Sequence, residues 1–168
     1  MSRESLRREH LLDALGHAVR ANQRATDQVD EAVTRLLGVN RTDGLCLDIL
    51  DHRGRISAGA LAEETGLTSG AITAVIDRLE RAGYVRRVPD PEDRRRVLVE
   101  LTEPARAIAW ELFAPLAELV GELLAGYDEE QLTMLIEFQD LGRQMQERHA
   151  ALLRERLRTE GQIRLSRS

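Results

Sequence analysis

"LAEETGLTSGAITAVIDRLERAGYVRRVPDPEDRRRVLVELT", residues 61–102, is the stretch that decides the fold. Its first part holds two short helical segments joined by "TGL", a link with room only for a tight turn. Gly66 and Gly83 stand where the two helices should end, because glycine suits the left-handed conformation at a helix C-terminus. The second segment has one apolar stripe at helical spacing, formed by Ile72, Val75, Ile76 and Leu79. This part predicts a helix-turn-helix.

The second part of the stretch has the pattern of a β-hairpin. "YVRRVP" (84–89) and "RVLVEL" (96–101) are rich in β-branched or alternating residues, and "DPED" (90–93) between them is a turn sequence. A hairpin directly after a helix-turn-helix is the arrangement of a wing. Upstream, "RGRIS" (53–57) has room only for a minimal strand, and Thr42 is expected to cap a short helix over about 43–52. Ser57 and either Thr68 or Ser69 are expected to cap the two helices of the pair.

Long amphipathic helices are predicted on both sides of this module. Residues 4–37 form one helix by periodicity, roughly 45–50 Å long at about 1.5 Å per residue, which exceeds what a domain of this size can cover. Thr102 and Pro104 begin a second helix to about residue 126, which Pro115 should kink or interrupt. Asp128 with Gln131 resembles a capping box for a last helix to about residue 157. Apolar stripes this long need a second copy, so we expect a homodimer.

The predicted fold class is therefore mainly α with a small β-hairpin wing. A winged helix-turn-helix (41–102) lies between dimerisation helices (1–40 and 103–158, one domain together), followed by a flexible tail (159–168). The single cysteine, Cys46, excludes an internal disulfide and suits a reducing compartment. With no leader pattern and no run near 18 apolar residues, we expect a soluble cytoplasmic protein without a membrane partner.

Charge is distributed unevenly along the chain. The net charge is −5, yet residues 78–96 contain seven arginines and four acidic residues, whereas 97–142 contain one arginine and ten acidic residues. A basic segment at the helix-turn-helix and wing indicates a double-stranded DNA partner. The N-terminal turns of a recognition helix face the major groove, and here they carry small residues. The residues expected on the recognition helix are Thr68, Ser69, Gly70, Ala71, Thr73 and Arg78. The alternative is that Ser69 and Gly70 are only cap and turn residues.

Three consecutive arginines, Arg94, Arg95 and Arg96, fall at the wing tip, and a narrow minor groove attracts guanidinium groups. Because side chains alternate in direction along a strand, we expect one arginine to reach the minor groove, one to pair with an acid of the protein and one to contact the DNA backbone. Asp93 is expected to hold one guanidinium in place. The alternative is an ordinary solvated charge run. Further phosphate contacts are expected from Arg53, Arg55, Arg86 and Arg87, with Arg81 as an additional candidate.

Residues 61–102 closely resemble the MarR family, in the Leu-Ala helix start, the helix end "DRLERAGYVRR" and the wing "DPEDRRRVLVELT". The resemblance implies a homodimeric winged-helix transcription factor, usually a repressor, often relieved by a small phenolic or lipophilic ligand. The resemblance places the family's aspartate partner on Asp93 and its groove-reading arginine on Arg94 and Arg95. Two positions depart from the family pattern. Arg96 stands where the family commonly has a small residue, and Ala105 stands where it commonly has glycine.

Other functions have weaker support. Cys46 lies among apolar residues and is expected to be buried and inert rather than redox-active. His10 and His17 share a helix face but have no metal-ligand spacing with a cysteine, and no catalytic motif is present, so we expect no metal, no cofactor and no enzyme activity. Trp110 and Phe113 are expected in the core. A ligand is expected between the winged module and the long helices, with no pocket residues assignable. The alternative function is a winged-helix protein-interaction module without a DNA target.

Overall fold

The computed structural model describes residues 3–93 and 95–165. Five elements precede the wing: α1 (Arg3–Leu37), α2 (Arg41–Arg53), β1 (Ile56–Ser57), α3 (Ala58–Thr65) and α4 (Ser69–Arg81). The wing strands β2 (Val85–Pro89) and β3 (Val97–Leu101) follow, and then α5 (Glu103–Leu124) and α6 (Glu129–Leu165). The predicted fold class is confirmed. Of the helices described, none is both long and apolar enough to cross a bilayer.

Local capping chemistry sets the helix boundaries of the central module. The Ser57 hydroxyl accepts a hydrogen bond from the backbone N–H of Ala60 (3.2 Å), and the Thr68 hydroxyl accepts one from Ala71 (3.3 Å). Gly66 ends α3 in the left-handed conformation, at φ 69°. These predicted caps are confirmed. The prediction of Thr42 as the cap of α2 is wrong.

The cap of α2 is Asn40, whose side chain accepts from the N–H of Asp43 (2.9 Å). The backbone of Asn40 is extended (φ −85°, ψ 170°), so its carboxamide lies over the first free N–H groups of the helix. Helix α2 therefore begins at Arg41, which places Thr42 inside its first turn.

The core of the central module joins three helices to the sheet. The predicted stripe of α4 is buried, and it packs with residues of α2, α3, the wing strands and the start of α5. The other members of this core are Cys46, Leu50, Leu61, Val85, Val99, Leu101 and Ala105. The apolar spacing of α4 therefore predicted correctly which face of the helix is covered.

The three strands form an antiparallel sheet in the order β1-β3-β2. Val85 pairs with Leu101, and Ile56 pairs with Val99, so these residues lie on the buried face. Arg86 pairs with Glu100, and both lie on the opposite, outer face because side chains alternate along a strand. At this register the buried face thus carries Val85, Val99 and Leu101, and the opposite face carries the pair Arg86–Glu100.

The remaining helices differ from expectation in part. Helix α5 is continuous through Pro115, so the predicted interruption does not occur, because proline removes one backbone donor while the rest of the hydrogen-bond ladder persists. The predicted kink stays a prediction. Helix α6 extends to Leu165 instead of ending near residue 157, so the described part of the predicted tail is helical. No proline occurs in this segment, and pairs such as Arg143–Glu147 (2.8 Å) support it. The predicted capping box is confirmed by reciprocal bonds between Asp128 and Gln131 (3.0 and 2.8 Å).

By backbone contacts the chain divides into two compact units, Met1–Pro115 and Leu116–Ser168. Helix α1 in the first unit has no fully buried residue, and most of its large apolar side chains, such as Leu11 and Leu36, are exposed. Trp110 is 75% exposed and Phe113 40% exposed in the single chain, so the prediction that they belong to its core is wrong. The only buried residue of helix α5 is Ala105. The predicted assignment of segments to dimerisation stays a prediction.

Candidate DNA interface

The N-terminal turns of α4 present small, exposed side chains. Ser69, Gly70, Ala71 and Thr73 are all exposed, and a Cβ added at Gly70 would meet no atom within 4 Å. The Thr73 hydroxyl donates to the carbonyl of Ser69 (2.9 Å), whereas the hydroxyl of Thr68 is used in the cap. This end of α4 is therefore an open surface that a DNA backbone or base edge can approach closely.

The other predicted residue of α4, Arg78, is held by a buried acid. Its Nε lies 2.9 Å from Oδ2 of Asp43, and its Nη2 donates to Oδ1 of the same carboxylate. Asp43 is only 2% exposed, and this hydrogen bond raises the pKa of Arg78. The charge of Arg78 is thus compensated within the protein, and the arginine joins α4 to α2. Sequence reasoning missed Asp43, because an acid in the first turn of a helix is ordinarily solvated.

Two aspartates shape the wing loop. Oδ1 of Asp90 accepts from the N–H of Glu92 (2.9 Å), and Oδ1 of Asp93 accepts from the N–H of Arg95 (3.0 Å). Backbone bonds between Asp90 and Arg96 (3.0 Å) and between Arg96 and Asp93 (2.8 Å) close the loop. The predicted turn over "DPED" (90–93) is confirmed by these bonds.

The arginines of the wing tip lie in different environments. Arg94 lies outside the described residues. Nε of Arg96 is 3.8 Å from Oδ2 of Asp90, so Arg96 has an acid beside it. Arg95 is exposed, and no partner contacts its guanidinium among the residues that the structure describes. Of the two described arginines at the wing tip, Arg95 is therefore the one whose charge is available to a polyanion.

The basic residues predicted as phosphate contacts are mostly paired with acids. Arg87 bridges from β2 to α4, with Nη2 at 2.6 Å from Asp77 and a second bond to Glu80, and the bond to Asp77 is the main reason that its pKa is raised. Arg53 pairs with Glu64 (3.0 Å). Within the described part of 78–96, only Arg81 and Arg95 have no acidic partner, so the net charge of the segment overstates the charge that is free.

Arg55 and Arg86 both bind Glu100. Nε and Nη2 of Arg86 lie 2.7 and 2.6 Å from Oε1, and Nε of Arg55 donates to Oε2. Burial of Glu100 opposes its ionisation, but the hydrogen bonds and charges of the two arginines outweigh burial and lower its pKa. Glu100 was not predicted from the sequence. Its position opposite Arg86 in the strand register could have indicated the pair, because oppositely charged residues stabilise each other across neighbouring strands.

Cys46 is fully buried in α2. Burial, with a smaller effect from the charge of Asp43, raises the pKa of its thiol to about 11. The thiol is therefore protonated and shielded at neutral pH, which agrees with the predicted inert role. No group of three or more histidine, cysteine or acidic side chains among the residues described is arranged to hold a metal ion.

Fold and site define the class: a winged helix-turn-helix protein in which the N-terminal end of α4 is open and Arg95 of the wing has no acidic partner among the described residues. Residues 39–97 match the model of the MarR family. The chain is 42% identical over 108 residues to the uncharacterised HTH-type transcriptional regulator YcgE of Bacillus subtilis, which covers 64% of this chain and 70% of that protein. The chain belongs to the MarR family of DNA-binding transcriptional regulators, and its relatives in these comparisons are regulators, not enzymes.

Two further similarities concern regulation. The HTH-type transcriptional repressor YetL of Bacillus subtilis is 29% identical over 92 residues, covering 55% of this chain and 54% of that protein. The crystal structure of NadR in complex with 4-hydroxyphenylacetate matches with a TM-score of 0.55 at 19% identity, covering 74% of this chain and 87% of that chain. At that identity the structural match concerns the fold alone.

Proposed function

We propose that this protein acts in the cytoplasm as a homodimer that binds a specific double-stranded DNA sequence, represses transcription from it, and is released by a small ligand. The observation that carries the proposal is the guanidinium of exposed Arg95, which has no acidic partner among the described residues, in a chain whose other described charges on the wing and on α4 are mostly paired. A free cation on a fixed loop is suited to a narrow minor groove, whose negative potential attracts it.

The proposed recognition divides between the two elements. Ser69, Gly70 and Thr73 approach the major groove, where their small size allows close contact and the hydroxyls can bond to base edges or phosphates. Arg95 enters the minor groove, and Arg81 contacts phosphate. Arg78 and Arg87 act chiefly within the protein, because their acidic partners already satisfy them. Asp93 supports Arg95 by holding its backbone N–H.

The proposed homodimer rests on the exposed apolar residues of the long helices. Leu11 is 63% exposed and Leu15 44% exposed on α1, and Leu152 and Leu153 of α6 are exposed as well. Covering one leucine stabilises an assembly by about 1.5–3 kcal/mol, so exposure of many such residues in one chain favours a second copy. A two-fold dimer would present two recognition helices to half-sites about 34 Å apart, one turn of B-DNA.

Repression and ligand control are supported by the relatives. YetL is named a repressor, and the structure of NadR contains 4-hydroxyphenylacetate, a small phenolic acid. We propose that this chain likewise represses and responds to a small phenolic or lipophilic compound. Binding of such a ligand would act by favouring a dimer whose recognition helices no longer match the half-site spacing.

The test is selection of binding sites by the full-length protein from a pool of randomised DNA duplexes, followed by footprinting on the selected sequence. The proposal predicts a pseudo-palindromic site, with half-sites one helical turn apart, and protection in a minor groove beside each half-site. Recovery of no shared sequence after repeated selection would contradict sequence-specific DNA binding. Selection of a single unpaired half-site would contradict the dimer.

A further inference from the structure

Three side chains form a row across the outer face of the sheet. Arg86 of β2 pairs in register with Glu100 of β3, and the pairing of Ile56 with Val99 brings the preceding residue, Arg55, level with Glu100 from the other side. Both arginines bind the same carboxylate, one through each oxygen. Glu100 is 2% exposed, while the side chains of Arg55 and Arg86 are 54% and 61% exposed, so the arginines cover the acid and reach solvent beyond it.

A buried ion pair of this kind is by itself weak evidence that the row stabilises the fold. Burying a carboxylate costs several kcal/mol, and replacing a buried ion pair with apolar side chains is often neutral or stabilising. What bidentate guanidinium–carboxylate bonds supply is a defined geometry. The relevant question is therefore which parts of the molecule the row holds in a fixed arrangement.

The row joins the helix-turn-helix to the wing at a weak connection. Strand β1 has two residues, and only Ile56 and Ser57 pair with β3. Ser57 is also the cap of α3, so the position of β1 sets where the helix pair begins. Arg55 directly precedes β1 and Glu100 belongs to a wing strand, so the bond between them adds a third attachment to this short strand.

We propose that Glu100 is a positioning residue for DNA recognition, which holds Arg55 and Arg86 in one row and thereby fixes the wing relative to the helix pair. The inference deepens the proposed function, because it matters only if both elements contact one DNA site. Recognition helix and wing must meet the major and minor grooves together, so a change in their mutual angle weakens specific binding more than non-specific binding.

The test compares Glu100→Gln and Glu100→Leu with wild type in the full-length protein. The probes are the duplex selected by the wild type and a scrambled duplex of the same composition. We expect about tenfold weaker binding of the selected duplex, in line with coupling energies of contacting residues. Binding of the scrambled duplex should be unchanged or tighter, because one negative charge is removed. The thermal midpoint of each variant is measured in parallel, so that a loss of affinity can be separated from a loss of folded protein.

The matched control is Glu92→Gln, which removes one carboxylate from the wing loop, where Glu92 is exposed and its side chain has no partner among the residues described. This variant should lose no affinity for the selected duplex. Undiminished affinity of both Glu100 variants for the selected duplex would overturn the inference, as would equal losses on both duplexes. If the wild type selects no sequence at all, the proposed function itself fails, which is a separate result.

A second variant covers the case in which the Glu100 variants do not fold. Arg86→Gln changes an exposed side chain and breaks half of the row. If Arg86 acts through the row, its loss should reduce affinity for the selected duplex more than for the scrambled one. If Arg86 only contacts phosphate, both affinities should fall equally and the salt slope should fall by about one, which would overturn the inference.

Discussion

Arg95 and Arg96 are neighbours with the same charge, yet only one of them is free. Arg96 is tied to Asp90, the residue that also organises the wing turn, whereas the guanidinium of Arg95 has no partner in the described part of the chain. The sequence predicted that one of the three wing arginines pairs inward but did not say which one. Their division into an inward-pairing residue and an available one depends on the course of the loop, which the backbone bonds of Asp90 and Asp93 determine.

Arg95→Ala should therefore cost about 1–3 kcal/mol of specific DNA affinity, because it removes a guanidinium that is not compensated within the protein. Arg96→Ala is the matched control and should cost less than about 1 kcal/mol, since its charge is already shared with an acid. Fluorescence anisotropy with the selected duplex measures both. Wild-type affinity in the double variant Arg94→Ala/Arg95→Ala would contradict the role of the wing, provided that the dimer is intact.

Among the elements, α1 contacts α2 where Thr34 faces Gly44. A Cβ added to Gly44 would lie 2.5 Å from Cγ2 of Thr34, so the side chain of Thr34 or one of the two helices has to shift. Gly44→Ala should lower the free energy of unfolding by about 1–3 kcal/mol, the cost of overpacking a tight contact. Urea denaturation measures the change.

Two variants control this experiment. Thr34→Ser keeps the hydroxyl that bonds to the carbonyl of Asp30 but removes Cγ2, so it should restore most of the stability lost in Gly44→Ala. Gly142→Ala adds a methyl group in open space within α6 and should stabilise by up to about 1 kcal/mol. If Thr34→Ser does not restore the stability lost in Gly44→Ala, the contact between residues 34 and 44 is not the cause of that loss.

The row on the outer face of the sheet predicts a pH dependence. The folded protein lowers the pKa of Glu100, so the ionised form contributes stability above the pKa of the unfolded chain, about 4.3 for glutamate. That contribution is lost as the pH falls below this value through the folded pKa. The unfolding free energy of the wild type, relative to that of Glu100→Gln, should therefore decrease as the pH is lowered from 6 to acidic values. A difference that stays constant with pH would contradict the ion pairing.

Local chemistry made most elements predictable, while the contacts between distant residues were not. Ser57, Thr68 and the pair Asp128–Gln131 act within three residues of themselves, so the sequence alone identified them. Asp43 and Arg78 are 35 positions apart, and Arg55 and Glu100 are 45 apart. Such pairs form only when the helices and the sheet are packed. The sequence therefore indicated a basic surface but did not show that acids within the protein already pair with most of its arginines.

At the scale of the whole molecule, the exposed apolar residues of the long helices require an explanation, and a second copy of the chain is the one we propose. Leu15→Arg should abolish the dimer, because burying an unpaired guanidinium in an apolar interface is costly. Analytical ultracentrifugation should then find a monomer with weak DNA binding. Gln23→Arg adds the same charge to an exposed polar position of α1 and is the control. A dimer that persists in Leu15→Arg would exclude this face of α1 from the interface.

The most direct test of the central claim is the affinity of the wild-type protein for the selected and scrambled duplexes across a series of salt concentrations. We expect much tighter binding of the selected duplex, with an affinity that falls steeply as salt rises because arginines displace counterions from phosphates. Arg95→Ala should narrow the difference between the two duplexes by about 1–3 kcal/mol. Equal affinity for both duplexes with little dependence on salt would contradict a sequence-specific DNA-binding regulator and favour a winged-helix module that binds another protein.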